Sequence, residues 1–167
     1  RITFSGLELM NRLLFATATA GLVLLFVDTT FAEETPQPTF ETVALRGRVV
    51  WLNESLKRRY GITTVPESRQ RILALETAAG QLHPLVEDTR GRAFRIDRRL
   101  RGLDVELLVR RYQGLPSIQV IRVYAVKKDA KFQLDYWCDV CAIVMFELGP
   151  CDCCQEPNRL RERRVDK

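Results

Sequence analysis

From residue 43 to residue 137 the chain alternates short apolar, β-branched runs with turn residues at intervals of about ten. This pattern predicts strands, because successive side chains of a strand point to opposite faces of a sheet. Two hairpins are predicted, one turning at Ala79-Gly80 and one at residues 113–116. The six predicted strands cover residues 43–52, 72–78, 82–86, 105–112, 117–127 and 132–137.

Helical signals in the same region are few. Asn53 offers a helix cap, and Gly61 ends the short surface helix that follows it. Gly47 interrupts the first strand and predicts a bend there. The fold class predicted is therefore mainly β: a small antiparallel barrel similar to the oligonucleotide/oligosaccharide-binding (OB) fold, with one or two short helices. An open antiparallel sheet with helices is the alternative.

The composition is typical of a globular protein, and the sequence lacks the motifs of two common classes of enzyme. The 167 residues are 46% hydrophobic and carry a net charge of +5. The sequence contains neither a Gly-rich phosphate loop nor a Ser-His-Asp order that would indicate hydrolysis. No catalytic residue is assigned, and the protein is expected to be a binding or structural module.

Six arginines lie within twelve positions of the middle of the chain. Clustered guanidinium groups can bind phosphate or sulfate, so these residues form a candidate anion-binding patch. Interspersed aspartates favour an exposed loop instead, and the lack of stacking aromatics argues against specific nucleic-acid binding. The partner is unknown, and an acidic envelope polymer or a protein is the kind considered. The six are Arg90, Arg92, Arg95, Arg98, Arg99 and Arg101.

The amino-terminal residues have the layout of a secretory signal peptide. Met10 is followed by Arg12, fifteen uncharged residues from Leu13 to Val27, and small residues at Thr30 and Ala32. The apolar run is shorter than the roughly 20 residues that span a bilayer, although a retained anchor is the alternative. We expect residues 1–32 to be a signal peptide or anchor and residues 33–42 to be a flexible linker. The protein is then exported to the periplasm or cell envelope.

All five cysteines lie in one segment, YWCDVCAIVMFELGPCDCCQ, near the carboxyl end. Cys138 and Cys141 form one Cys-x2-Cys pair, and Cys151 and Cys154 form a second. Two such pairs predict a four-sulfur metal site in a small ribbon, with zinc as the first choice and iron or copper as alternatives. Cys153 is an additional thiol inside the second pair. The predicted division is a β-barrel domain at 43–135, a metal ribbon at 136–155 and a solvated basic tail at 156–167.

The segment around these cysteines resembles a known family. Tyr136-Trp137 before Cys138, the Gly149-Pro150 approach to Cys151, and Cys154 are similar to the heavy-metal-binding ribbon of bacterial metal-efflux proteins. A looser resemblance is to rubredoxin-type zinc ribbons. The heavy-metal-binding family has histidine where this chain has Cys141, and Gly-Met where this chain has Gln155-Glu156. The layout of the whole chain resembles exported bacterial proteins, a likeness that implies no activity.

Two other interpretations of the cysteines remain open. Trp137-Cys138-x2-Cys141 is also the pattern of a thiol-disulfide oxidoreductase, which makes a periplasmic enzyme of that class the alternative function. Export would also permit two structural disulfides and one free thiol. Attachment of c-type haem is excluded because Ala142 stands where a histidine is required.

Overall fold

The computed structural model describes residues 38–128 and 130–165, so the predicted signal segment lies outside the described residues. Within this part of the chain are eight strands, two α-helices and two 3-10 turns. No helix in the described ranges is long and apolar enough to cross a membrane. In order, the elements are β1 (Phe40–Trp51), α1 (Leu52–Tyr60), a 3-10 turn (Pro66–Ser68), β2 (Leu73–Thr77), β3 (Leu82–Pro84), α2 (Thr89–Ile96), a second 3-10 turn (Arg98–Leu100), β4 (Val105–Tyr112), β5 (Ile118–Lys127), β6 (Ala130–Cys138), β7 (Ile143–Met145) and β8 (Arg159–Val165).

The first five strands form a curled antiparallel half-barrel. β1 pairs with β2 on one edge and β4 on the other, β2 pairs with β3, and β4 pairs with β5. A single parallel bridge between Leu85 and Ile118 brings the end of β3 to the start of β5, and Val86 N–H donates to the Ile118 carbonyl at 2.9 Å. The hydrogen-bonded strand order is β3-β2-β1-β4-β5-β6-β7, and the bridge from Leu85 to Ile118 links the two ends of its first five strands. With α2 between β3 and β4 along the chain, this mainly β arrangement confirms the predicted OB-like architecture.

Gly47 lies where β1 changes partners. Residues 40–47 pair with β4, and residues 47–51 pair with β2. A Cβ atom at Gly47 would lie 2.2 Å from the Glu76 carbonyl oxygen, so the two backbones approach too closely for any other residue. The glycine predicted to bend the first strand is therefore required by this close approach. Inward-facing residues of the barrel, among them Val49, Leu75 and Leu107, are completely buried.

The arginine-rich stretch after Asp88, expected to be a loop, contains a helix. Asp88 caps α2, since its Oδ1 accepts from Arg90 N at 3.1 Å and Gly91 N at 3.0 Å. Phe94 is fully buried in the core together with Ala93. At the other helix the predicted cap is wrong: α1 begins at Leu52, and Asn53 lies inside it.

The carboxyl-terminal residues 159–165, expected to belong to a solvated tail, form strand β8. β6 pairs with β5 near its start and with β7 at its end, while β8 runs along its other edge. The buried carboxylate of Asp135 on β6 accepts from Arg161 Nε at 2.8 Å and from Arg163 at 2.9 Å. The Arg161 guanidinium also lies 4.0 Å from the ring centroid of Trp137. Backbone pairing and these ion pairs order a segment with few apolar residues.

Candidate metal centre

Four cysteine sulfurs meet beyond the end of β6. Cys138 is the last residue of β6, and Cys141 lies in the turn that leads to β7. Cys151 and Cys154 belong to a second turn, before β8. The four Sγ atoms all lie within 4.8 Å of one another. Because a tetrahedral shell with sulfurs about 2.3 Å from the ion places them about 3.8 Å apart, the four cysteines are positioned to hold a metal ion.

The two Cys-x2-Cys turns have the same backbone design. The residue after each pair has a positive φ, 55° at Ala142 and 63° at Gln155. Each of these residues donates its N–H to the carbonyl of the first cysteine of its pair, Ala142 to Cys138 and Gln155 to Cys151, both at 2.9 Å. Residues other than glycine rarely adopt this conformation, and it concentrates at ligand clamps. The repeated design therefore marks two equivalent halves of one site.

Backbone N–H groups point at the first sulfur of each pair. Cys141 N donates to Cys138 Sγ over 3.4 Å. In the second turn the N–H groups of Cys154 and Cys153 act on the sulfur of Cys151 and lower the pKa of its thiol to about 7. Such N–H donors offset the negative charge of a bound thiolate. The innermost sulfur of the second turn is thus prepared to carry charge.

The two thiols of the first turn, Cys138 and Cys141, have pKa values above the ordinary value for cysteine. The neighbouring thiols of Cys154 and Cys153, together with burial, raise the pKa of Cys141. At Cys138 the N–H of Cys141 lowers the pKa, but burial and the thiols of Cys154 and Cys151 outweigh it and the net shift is upward. Several negative sulfurs this close together repel one another, and a dication between them would remove the repulsion. The electrostatics therefore suit a cation site.

Asn158 holds the loop that carries the second turn by hydrogen bonds. No sequence pattern singled out this residue. Its Oδ1 accepts from Gly149 N at 3.1 Å, and its Nδ2 donates to the Glu147 carbonyl at 2.9 Å. Its backbone N–H donates to the Gly149 carbonyl at 3.0 Å, and Cys151 N–H donates to the Glu156 carbonyl at 2.8 Å. Asn158 is buried, so these bonds are protected from water. The side chain and backbone of Asn158, together with the Cys151 N–H, therefore hold the loop before Cys151 in place.

The strand leading into the site is tied to the helical side of the barrel by Tyr136. This tyrosine is buried, and its hydroxyl donates to Asp97 Oδ2 at 2.9 Å. Burial and the bond to Asp97 raise the pKa of Tyr136 far above its ordinary value, so the hydroxyl keeps its proton. Arg99 donates to the same carboxylate at 2.6 Å. Cys138, two residues beyond Tyr136, is thereby positioned by the barrel.

The six arginines of the predicted anion patch are distributed among different contacts. Arg92 forms an ion pair with Glu147 of the ribbon, and Arg90 lies over the ring of Phe146, 3.7 Å from its centroid. The remaining four contact the barrel or lie at its surface. Arg95 pairs with Glu87, Arg99 pairs with Asp97, Arg101 donates to the Phe94 and Arg95 carbonyls, and Arg98 is exposed. Anion binding by the six stays a prediction.

Cys153 lies outside the group of four. Its side chain is exposed, whereas Cys138 and Cys151 are fully buried and Cys141 and Cys154 are half-buried. All five cysteines are free thiols in the structure.

Comparison with protein-family models, curated proteins and solved structures finds no match to this chain. Fold and site together define a mainly β, barrel-like module in which four cysteines are positioned to hold a metal ion.

Proposed function

We propose that this protein is an exported zinc-binding module in which one ion, held by Cys138, Cys141, Cys151 and Cys154, fixes the carboxyl-terminal ribbon on the barrel. The observation that carries the proposal is the convergence of two equivalent turns on one group of four sulfurs within 4.8 Å. Only a few backbone N–H groups offset negative charge on the four sulfurs, so a bound cation would supply most of the electrostatic compensation.

Zinc is the proposed ion because four thiolates in a tetrahedral arrangement are its usual structural shell. Iron binds the same shell, and copper(I) also prefers sulfur ligands. The resemblance of the segment to heavy-metal-binding and rubredoxin-type ribbons supports a soft metal ion. A shell completed by four cysteines leaves no position for an activated water, so the proposed role is structural and binding rather than catalytic.

Elemental analysis of the purified full chain, run beside a thiol titration, tests the proposal. We expect one zinc ion for each chain and five titratable thiols after denaturation, with the four ligand thiols protected before it. Cobalt substitution should give the intense sulfur-to-cobalt absorption of a thiolate shell. Serine substitution of Cys138 or Cys151 should abolish metal binding, whereas the exposed Cys153→Ser variant should bind one ion.

The competing function is a periplasmic thiol-disulfide oxidoreductase that uses Cys138 and Cys141. The sequence Trp137-Cys138-x2-Cys141 favours it. Against it, Cys138 is fully buried, and the thiol with the lowered pKa is Cys151. Metal-free protein with a reducible bond between Cys138 and Cys141 would replace the zinc proposal with this one.

Export is proposed from the amino-terminal pattern alone. Residues 10–32, fused to a reporter enzyme that is active only outside the cytoplasm, should make that reporter active. A matched fusion in which Leu22 and Leu24 are changed to aspartate should be inactive, because charge interrupts the apolar region. Equal activity of the two fusions would count against a signal role.

A further inference from the structure

A groove lies beside strand β1, between the last turn of α1 and the loop that precedes β4. Its volume is about 670 Å³, within the range typical of sites for small molecules. Arg46 and Arg48, two residues apart on β1, direct their exposed side chains to the face of the strand opposite the buried Val49. The charged residues that line the groove are Arg46, Arg48, Arg58, Arg59, Glu76 and Asp104.

Positive charge predominates in this groove. The lining contains four arginines and two acidic residues, which leaves a surplus of two positive charges. Both acidic residues are already paired: Asp104 accepts from Arg48 Nε at 2.8 Å, and Glu76 pairs with the two arginines of α1. Within residues 38–128 and 130–165, the Arg46 guanidinium forms no hydrogen bond or ion pair. The groove therefore has positive charge that the protein itself does not neutralise.

Buried contacts hold the two arginines of α1 at the groove. The Glu76 side chain is only 9% exposed, and its carboxylate accepts from Ser55 Oγ at 2.5 Å, from Arg58 at 2.5 Å and from Arg59. Arg58 also donates to Ser55 Oγ at 2.8 Å, and Ser55 is completely buried. Burial raises the pKa of Glu76, but the bonds from Ser55 and the arginines outweigh burial and hold the pKa below its ordinary value. An ionised, buried carboxylate thus fixes both guanidinium groups before any ligand binds.

The guanidinium groups keep N–H donors for a ligand. The side chains of Arg58 and Arg59 are 56% and 37% exposed in spite of their ion pairs. Arg59 lies against Gly80, where a Cβ atom would be 2.6 Å from Arg59 Nη1, so the missing side chain at Gly80 leaves this guanidinium its place. A guanidinium has more N–H donors than one carboxylate can accept from. Arg46 and Arg48 add further donors from the β1 side of the groove.

We propose that this groove is a binding site for the phosphate group of a small molecule, with the four arginines as its donors. A phosphate ester carries a charge of about −2 at neutral pH, which balances the surplus of the lining. Arginine binds phosphate through two parallel N–H···O bonds, a geometry that fits its planar group. The groove is larger than one phosphate, and Val50 and Ala78 give it an apolar part for an organic group. It shares no residue with the four-cysteine site, so this inference is independent of the metal.

Titration of the isotope-labelled full chain, followed by NMR in a phosphate-free buffer, tests the inference. The probes are inorganic phosphate and glucose 6-phosphate, with glucose as the uncharged control. We expect both phosphates to shift the signals of the groove and glucose to shift none. Arg46→Gln should weaken phosphate binding about tenfold, because one charge-assisted contact is lost. Arg69→Gln, which removes the same charge from an exposed position outside the groove, is the matched control and should bind as the original chain does.

Each result decides for or against the groove. Tighter binding of glucose 6-phosphate than of inorganic phosphate would support the site and identify an organic ester as its ligand, whereas equal affinities would support it as a site for free phosphate. No binding of either probe would overturn the inference. Equal weakening by Arg46→Gln and Arg69→Gln would also overturn it, since binding would then follow net charge alone. Arg48→Gln, which loses only an exposed ion pair, is a second variant that should fold and bind more weakly.

Discussion

The Tyr136 hydroxyl donates a 2.9 Å hydrogen bond to Asp97 Oδ2, and so connects the strand that ends at Cys138 to the 3-10 turn after α2. Both residues are buried. A hydrogen bond to a buried, charged acceptor contributes more to folding stability than a hydrogen bond to a neutral acceptor, because water cannot replace it. The four-cysteine site and the barrel are therefore joined by polar as well as apolar contacts.

The variant Tyr136→Phe should lose this bond without changing the shape of the core. We expect the free energy of unfolding to fall by about 2 kcal/mol, the usual range for a hydrogen bond to a charged group. Urea denaturation measures the loss. Tyr112→Phe, which removes the half-buried bond to Gln119 Oε1 at 2.9 Å, is the control and should cost less. Equal losses in the two variants would contradict a special role for the Asp97 contact.

Acid should destabilise the protein partly through Asp97. Burial raises the pKa of this carboxyl, but bonds from Arg99 and Tyr136 outweigh burial and hold the pKa below its ordinary value. A carboxylate whose folded pKa is below its unfolded value contributes stability above the unfolded value, about 3.9. That contribution is lost as the pH falls through the folded pKa.

Replacing Asp97 with asparagine should make stability less dependent on pH on the acid side. Urea midpoints measured from about pH 6 to pH 3 should fall less steeply for Asp97→Asn than for the original chain. Asp104→Asn is the control, because Asp104 is largely exposed and its ion pair with Arg48 is screened by water. If the urea midpoint fell equally steeply with pH in Asp97→Asn and in the original chain, Asp97 would not contribute to the loss of stability in acid.

Removal of the metal should loosen the ribbon before the barrel. Most residues of the buried core belong to the barrel, whereas the segment between Cys138 and Asn158 adds few and contains one short strand. Hydrogen exchange after treatment with a chelator should therefore become faster at residues 139–157, with little change in β1, β2 and β4. Re-addition of zinc should restore protection. Uniformly faster exchange throughout would indicate instead that the barrel also depends on the ion.

Strands β1 to β6 were predictable from sequence because their apolar residues follow local strand patterns, whereas β7 and β8 were not predicted. Gly47 was predictable as a bend, although its partner, the Glu76 carbonyl, was not. Helix α2 was missed because Phe94 and Ala93 are surrounded by arginines, so its periodicity is weak and its start depends on the Asp88 cap. Strand β8 depends on the buried Asp135, more than twenty positions earlier in the chain. Such long-range pairing leaves little trace in a local pattern.

The group of four cysteines was predictable to the extent that its members lie close together in sequence. Spacing alone identified the four cysteines that the structure brings together. The exposure of Cys153 and the bonds of Asn158 depend on the folded loop, and a single asparagine after a proline has too many other uses to be informative. Close packing does not require a glycine at position 149, since a Cβ there would meet nothing within 4 Å.

Asn158 should control metal affinity although it is not a ligand. Asn158→Ala leaves the Gly149 N–H and the Glu147 carbonyl without their side-chain partner. Loss of such a supporting contact typically weakens metal binding by about 10-fold to 100-fold, because the ligands are no longer held in position. Competition with a chelator measures the change. Asn53→Ala in α1 is the control and should bind zinc as the original chain does; equal affinity in both variants would contradict the supporting role of Asn158.

Gly47 should be intolerant of any side chain. In Gly47→Ala the new Cβ would lie 2.2 Å from the Glu76 carbonyl oxygen, so β1 and β2 must move apart where β1 changes partners. We expect destabilisation of about 3 kcal/mol, at the upper end for overpacking, because the obstructing atom belongs to the backbone and cannot rotate away. Gly149→Ala, whose Cβ meets open space, is the matched control and should unfold at nearly the urea concentration of the original chain. If the two variants were equally stable, β1 and β2 would have to tolerate a wider separation at Gly47 than their register indicates.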